Sequence, residues 1–170
     1  MATKTFTGLK AVTIGAIAVD GGMGTVLTEL LGATVKGAAT LVYTPPQFTD
    51  IEIEETDEPI DSLPSGLGSW ELSLETYNIS AETLYALFGG TLTGTTDKVW
   101  GMPATFTPTE QSVQIETRTG QIIAIPRMKI MPAPNFAFTK SDLGKMAITG
   151  RVLTPTKVAT PSITFANTPA

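Results

Sequence analysis

Short runs of aliphatic and β-branched residues, separated by glycine- and proline-rich turns, dominate the pattern of apolar and polar positions. The first run is residues 12–19 (VTIGAIAV), and it ends at residues 20–24 (DGGMG), which have the composition of a turn. A second short run, residues 41–44 (LVYT), is followed at once by Pro45 and Pro46. Runs of this length predict strands, and proline ends a strand because it has no N–H to donate to the ladder.

A long hairpin is predicted next. Residues 50–54 (DIEIE) and residues 70–75 (WELSLE) both alternate between apolar and polar side chains. Such alternation buries one face of a strand and exposes the other, so we expect these two segments to pair. The connection between them, residues 55–69 (ETDEPIDSLPSGLGS), is acidic and too long for a tight turn. We expect this long acidic inter-strand loop to contact a partner.

One helix is predicted, over residues Ala81–Phe88. Ser80 can cap its first turn, Glu82 lies near the positive end of the helix dipole, and Gly89 and Gly90 end it. A helix of about two turns is stable only when it packs against another element. The apolar positions at helical spacing, which we expect to pack on a sheet, are Ala81, Leu84, Tyr85 and Phe88.

The last half of the chain returns to strand patterns. Residues 113–125 predict a hairpin around the turn of residues 118–120, and Met128 and Ile130 continue its second strand. Phe136 and Phe138 alternate with small or polar residues, residues 140–144 predict a turn, and residues 146–153 (MAITGRVL) predict a final strand.

These elements together predict a mainly β fold: a small β-sandwich or barrel of two packed antiparallel sheets, with one short flanking α-helix and the long extended hairpin loop. The 170 residues suffice for one domain with one core. Residues 1–10 are expected to form an N-terminal arm and residues 155–170 a loose C-terminal arm. The 29 threonines agree with this fold, because β-branched residues favour strands.

Charge is distributed unevenly along the chain. Residues 1–36 carry a net charge of +1, residues 37–97 carry −11 with no lysine or arginine, and residues 98–170 carry +5, for a total of −5. The acidic and basic blocks either neutralise each other within one molecule or meet between subunits. Only 16% of residues are charged, which is low for a monomer that depends on charge repulsion for solubility, and indicates that partners cover part of the surface.

The subunit-interface hypothesis names three groups of residues. Apolar anchors in the acidic loop would supply most of the binding energy, and its carboxylates would orient it against basic residues on or beside the later strands. The candidate anchors are Ile60, Leu63 and Leu67; the candidate acids are Glu54, Glu55, Asp57, Glu58 and Asp61; the candidate bases are Arg118, Arg127 and Lys129.

Composition excludes much catalytic chemistry. The chain has neither cysteine nor histidine, so disulfides, thiolate or imidazole zinc sites and the Ser-His-Asp triad are impossible. The remaining rivals are a paired-carboxylate enzyme or a weak calcium site in residues 50–61, a phosphate-binding loop at residues 20–24, and a monomeric β-barrel that binds an apolar ligand. We expect no catalytic residues, no cofactor and no metal. No apolar run approaches the length needed to span a bilayer, so we expect a soluble protein.

Four segments together resemble the tail tube (major tail) proteins of long-tailed bacteriophages. They are residues 21–24 (GGMG), residues 48–59 (FTDIEIEETDEP), residues 70–90, and residues 136–155 (FAFTKSDLGKMAITGRVLTP). The individual motifs are loose, but they extend over most of the chain. Type VI secretion inner-tube proteins share the fold of this family.

The resemblance implies a structural subunit that forms hexameric rings, stacked as a hollow tube through which genome DNA passes without sequence-specific binding. It also implies a place in the virion tail after assembly in the host bacterial cytoplasm. Other tail proteins, such as the tape measure and the tail terminator, would be further partners. In that family a long loop between two early strands bridges subunits or rings, and residues 55–69 occupy this position here. An inner-tube protein of a type VI or contractile injection system is the alternative.

Overall fold

The computed structural model describes residues 5–29 and 32–167, which form eleven β-strands and one α-helix. In chain order the elements are β1 (Leu9–Gly15), β2 (Thr40–Thr44), β3 (Gln47–Ile53), β4 (Thr56–Ser65), β5 (Ser69–Thr76), α1 (Ala81–Phe88), β6 (Thr91–Thr93), β7 (Val99–Gly101), β8 (Thr109–Thr117), β9 (Gln121–Asn135), β10 (Lys145–Val152) and β11 (Thr164–Asn167). The predicted mainly β fold with one short helix is confirmed.

Seven strands form the principal sheet, which is antiparallel throughout. Its order is β1-β8-β9-β10-β5-β2, and β11 pairs with the beginning of β9. The 15-residue β9 serves two layers, because its first part pairs with β8 and its last part with β10. The layers pack in a sandwich-like arrangement, and within the described residues the sheet does not close into a barrel.

Two prolines lie where β9 changes partners. Ile130 is the last β9 residue that pairs with β8, and Pro132 and Pro134 follow it while β9 continues beside β10. Proline has no N–H for a second ladder, so it is tolerated where a strand has a neighbour on one side alone. The prolines therefore suit the part of β9 that β8 has left.

The core lies between the two layers and under the helix. Met128 of β9 packs against Gly150 of β10, where any side chain would overlap the Met128 sulfur. Apolar residues from both layers and from α1 fill the rest of the core. The buried side chains are Val12, Ile14, Leu72, Leu74, Leu84, Leu87, Val113, Ile115, Ile123, Ile125, Ile130, Met146 and Ile148.

The helix has the predicted bounds and caps. The Ser80 hydroxyl oxygen accepts from the Thr83 N–H at 3.2 Å, and Gly89 ends the helix at a φ of 69°. The predicted buried stripe is partly wrong: Leu84 is buried, but Thr83 and Leu87 are the other fully buried positions, and Tyr85 is 45% exposed. Capping fixes where a helix begins and ends, whereas its contacts with the sheet decide which face is covered.

The predicted pairing of the long hairpin is wrong. β5 pairs with β2 and β10, whereas residues 50–54 belong to a separate two-stranded hairpin, β3–β4. Strand β4 occupies most of the predicted loop of residues 55–69. The isoleucines of β3, Ile51 and Ile53, are each 39% exposed rather than buried. Alternation marks a strand with two different faces, but it does not identify the neighbour.

The described parts of both terminal segments are more ordered than expected. β1 begins at Leu9, inside the predicted N-terminal arm, and ends at Gly15. The C-terminal segment is not loose throughout, because β11 pairs with β9 and Phe165 contacts the ring of Trp70 at 5.8 Å between centroids. Parts of both predicted arms, residues 1–4 and 168–170, lie outside the described residues.

Candidate protein interface

The β3–β4 hairpin, residues 47–65, projects from the fold, and we call it the acidic arm. Its strands form a two-stranded sheet of their own, and every residue of both strands is exposed. An isolated two-stranded hairpin is only marginally stable in water. The arm therefore has the form of an element that gains stability from a partner.

The acidic arm carries seven carboxylates and no basic residue. All five candidate acids belong to it: Glu54, Glu55, Asp57, Glu58 and Asp61. Across the described residues none of the arm's acids forms an ion pair, although five such pairs occur elsewhere. The arm thus has a net charge of −7 and the remainder of the chain +2.

Large apolar side chains lie on both faces of the arm. Directly paired residues share a face, so the register places Phe48 on one face and Leu63 with Ile51 on the other. Ile60 lies where the register of the two strands shifts and is 59% exposed, whereas Phe48 is 66% and Leu63 51% exposed. All three predicted anchors are exposed, but Leu67 lies beyond the arm and is 98% exposed.

The structure brings two of the three candidate bases together: Arg127 and Lys129 lie two residues apart on β9, both beside Glu110, whereas Arg118 lies elsewhere. Arg127 is already engaged within the molecule, since its Nε donates to Glu110 Oε2 at 2.9 Å and its Nη1 to the Thr154 carbonyl at 3.1 Å. The hydrogen bond from Arg127 lowers the pKa of the Glu110 carboxyl. Arg118 lies in the β8–β9 turn, where its Nε donates to the Leu9 carbonyl at 3.4 Å.

Lys129 is exposed, and its neighbour on β10 is a base that the sequence analysis missed. Arg151 pairs with Lys129 in the β9–β10 register, so both lie on the outer face of the sheet. Glu110 and Glu71 flank this pair on β8 and β5. The alternation of residues 146–151 could have placed Arg151 on the outer face, but not beside Lys129.

A second exposed feature is the connection from β9 to β10, residues 136–144, which we call the aromatic loop. Phe136 and Phe138 lie in this loop, whereas their alternation had predicted a strand. Their rings stack with centroids 6.4 Å apart and an interplanar angle of 15°. Phe138 is 94% and Leu143 67% exposed.

A cleft of about 930 Å³ lies between the two layers, near the root of the acidic arm. Most of its walls are apolar, and they include Leu9, Val12, Trp70, Leu72, Ile115 and Phe165. Arg118 lies on its lining. This cleft is the feature that a binding module for an apolar ligand would use.

The other sites considered from the sequence gain no support. In the turn of residues 20–24, Asp20 pairs with Lys157 at 2.7 Å and the Gly24 N–H donates to the buried Ser112 hydroxyl at 2.9 Å. The turn therefore joins parts of the fold and does not present its amides to a phosphate. Among the described residues no group of three or more acidic side chains is placed to hold a metal ion.

The helical residues of the described chain include no segment long and apolar enough to cross a membrane. No protein-family model matches the sequence. No curated protein matches it either.

Proposed function

We propose that this chain is a non-enzymatic structural subunit that assembles with copies of itself into stacked rings, the hollow tail tube of a tailed bacteriophage. The acidic arm carries the proposal. It exposes large apolar side chains on both faces and seven carboxylates that form no ion pair within the described residues, and it contributes nothing to the core of its own molecule. Exposed apolar surface of this kind is typical of protein interfaces.

The contacts are heterologous, because contacts between two different surfaces close into a ring or repeat as an open stack, whereas a contact between identical surfaces closes a pair. The arm's charge favours this arrangement. At −7 it repels the arm of another copy, whereas the rest of the chain carries +2. Exposed ion pairs contribute about 0 to 1 kcal/mol each, so apolar burial supplies most of the stability and charge supplies the orientation.

The conduit role rests on the resemblance of four segments to tail tube proteins, and the charge of the chain is compatible with it. Fixed positive charge on a lumen wall would hold DNA phosphates, and this chain carries a net charge of −5. Six copies per ring, a place in the virion tail, and contacts with tape measure and tail terminator proteins belong to the same proposal. An inner tube of a type VI or contractile injection system would use the same assembly.

The test is the state of the intact purified chain as its concentration is raised. We expect rings or tubes in sedimentation velocity and electron microscopy, with a lumen wide enough for duplex DNA. Monomer alone at every concentration and salt would overturn the proposal, and tubes with a narrower lumen would overturn the DNA conduit.

Charge reversal tests the role of the arm. Changing four arm acids to lysine should weaken assembly, and the effect should shrink as salt screens the charges. The variant combines Glu54→Lys, Glu55→Lys, Asp57→Lys and Glu58→Lys. Asp97→Lys, at an exposed acid in the β6–β7 connection, is the control and should assemble normally.

The cleft near the arm root favours a second candidate, a monomeric module that binds an apolar ligand. Its size is suitable for a small ligand. This candidate predicts a monomer at high concentration that binds a fluorescent fatty acid, with no assembly at any salt. The same sedimentation experiment therefore separates the two functions.

A further inference from the structure

Several strand edges of the described chain are closed to a further strand. On β1, Ile14 exchanges two backbone hydrogen bonds with Thr28, at 2.9 and 2.8 Å. The last part of β9, which β8 does not reach, contains Pro132 and Pro134, and neither has an N–H to donate. The strands β6, β7 and β11 have only three or four residues each. Prolines, short strands and covering segments all reduce what an edge offers to another chain.

The outer edge of β2 is open. Glu75 of β5 accepts the Val35 N–H at 2.8 Å on the side where β2 lies, so every second residue of β5 directs its backbone groups to that side. Val42 lies opposite one of these residues and is bonded to β5, so Leu41 and Tyr43 direct their N–H and C=O groups away from the sheet. Within the described ranges no other element bonds to them.

Of the two strands of the acidic arm, β3 also has an open outer edge. Pro64 has no N–H to donate to Phe48, its partner in the register, so this pair directs its backbone groups outward. The same holds two residues along, for Asp50 and Ser62. On β4 the outward donors are closed, because Pro64 lacks one and the Ser62 N–H donates to Asp61 Oδ1 at 2.8 Å. On β3 the N–H groups of Phe48 and Asp50 have no partner in the part of the chain that the structure describes.

We propose that β3 of one copy adds to the outer edge of β2 of the next copy as a parallel strand, an inference that rests on the proposed self-assembly. Each edge presents two outward residues at the same spacing: Leu41 and Tyr43 on β2, Phe48 and Asp50 on β3. Their N–H and C=O groups pair with one another across the contact. The hairpin, which is marginal alone, thereby becomes part of a large sheet.

The parallel direction follows from the need for a contact that repeats. Only Pro45 and Pro46 separate β2 from β3. In an antiparallel arrangement the second copy's β2 would therefore lie beside the first copy's β3, and the two copies would close a pair. In the parallel arrangement the second copy's β2 lies beyond the start of the first copy's β2, so its edge stays open for a further copy.

Apolar side chains select the register. With Phe48 of the donor opposite Val42 of the receiver, side chains that are 66% and 54% exposed cover each other. The next position places Thr49 beside Tyr43. Pairs of aromatic and β-branched side chains are among those that stabilise neighbouring strands.

Charge agrees with this register. Strand β2 has no charged residue, and Asp50 lies beside Thr44 at its end. The β5 partner of Thr44 is Ser69, whose hydroxyl accepts from Arg151 at 3.4 Å, so the carboxylate lies near a base. A shift by two residues would bring Asp50 beside the position that pairs with Glu71, where two acids would repel each other.

Disulfide formation tests the contact and its direction, because the chain has no cysteine. Val42→Cys and Phe48→Cys are made as separate variants, mixed, assembled and oxidised. We expect a disulfide-linked dimer on a non-reducing gel from the mixture and none from either variant alone. A mixture of Tyr43→Cys and Phe48→Cys should give none, because these side chains lie on opposite faces in the parallel register.

Proline substitution blocks one edge at a time. Asp50→Pro removes an outward N–H from the open edge of β3, whereas Ser62→Pro removes the directly paired N–H from the closed edge of β4. We expect Asp50→Pro to raise the concentration for half-maximal assembly about tenfold or more, and Ser62→Pro to leave it within about threefold. Asp50→Ala keeps the N–H, reports the loss of the carboxylate alone, and should also stay within about threefold.

Three results would overturn this contact and leave the proposed function standing. They are equal effects of the two prolines, assembly without a disulfide between positions 42 and 48, and a disulfide between positions 43 and 48, which the antiparallel pair would form. Failure of the wild-type chain to assemble overturns both.

Discussion

Removal of the whole acidic arm is the most direct test of the separation between folding and assembly. Deleting residues 47–65 leaves Pro45, Pro46 and residues 66–68 to join β2 to β5. Thr44 and Ser69 are directly paired neighbours, so a short hairpin connection can join them without moving either strand.

The structure indicates a small effect on folding. Every residue of β3 and β4 is exposed, so the deletion removes no core contact. The connection shortens from about 24 to about five residues, and each halving of a loop lowers the closure entropy cost by about 0.6 kcal/mol, so the folded state gains about 1 kcal/mol. The net charge changes from −5 to +2.

We expect the melting temperature to stay constant or rise by about 2–4 °C, the shift that about 1 kcal/mol produces in a domain of this size. Circular dichroism measures unfolding, and sedimentation velocity should show monomer where the intact chain assembles. As a control, deletion of residues 95–97 leaves Gly94 and Lys98 as a two-residue turn between β6 and β7, and this variant should assemble. Normal tubes from the arm deletion, or a loss of several kcal/mol of stability, would refute the reasoning.

Three further predictions concern the fold. Leu87→Ala, at a side chain with no exposed surface, should lower the free energy of unfolding by about 2–5 kcal/mol in urea denaturation. Gly21→Ala and Gly37→Ala both place alanine at a φ of +80°, which costs about 1–2 kcal/mol, but only the alanine at position 21 also overlaps a neighbouring chain segment, so it should destabilise more. The hydrogen bond from Arg127 lowers the pKa of Glu110 in the folded state. The ionised Glu110 carboxylate therefore stabilises the folded protein fully above about pH 5, and this stabilisation is lost as pH falls through the lowered pKa. Urea midpoints of Glu110→Gln and wild type should therefore differ at neutral pH and converge in acid; a constant difference would contradict this.

Local signals in the sequence predict several elements well. The helix bounds follow from the Ser80 cap and Gly89, which act within one turn of the backbone. The β8–β9 hairpin follows from a short turn that leaves little choice of partner. The two partners of β5 could not be predicted in this way. Both β2 and β10 lie far from β5 in the sequence, and the alternation of β5 would be the same beside any neighbour.

The candidate interface was predictable in part. The density of acids between residues 50 and 61 marks the arm, but that they form no ion pair with any described residue depends on where the hairpin projects. Arg151 gains significance only through the register that places it beside Lys129. The alternation of Phe136 and Phe138 is typical of a half-buried strand, and only the structure shows an exposed stacked pair.

Strand β9 determines how the molecule must unfold. Met128 and Ile130 have hydrogen-bonded neighbours on both sides, β8 and β10, so this short stretch belongs to both layers at once. Neither layer can open completely without breaking a ladder that the other also uses. The domain should therefore lose its structure in a single cooperative step, and the amide protons of residues 128–130 should be among the last to exchange with deuterium, at rates that report global unfolding.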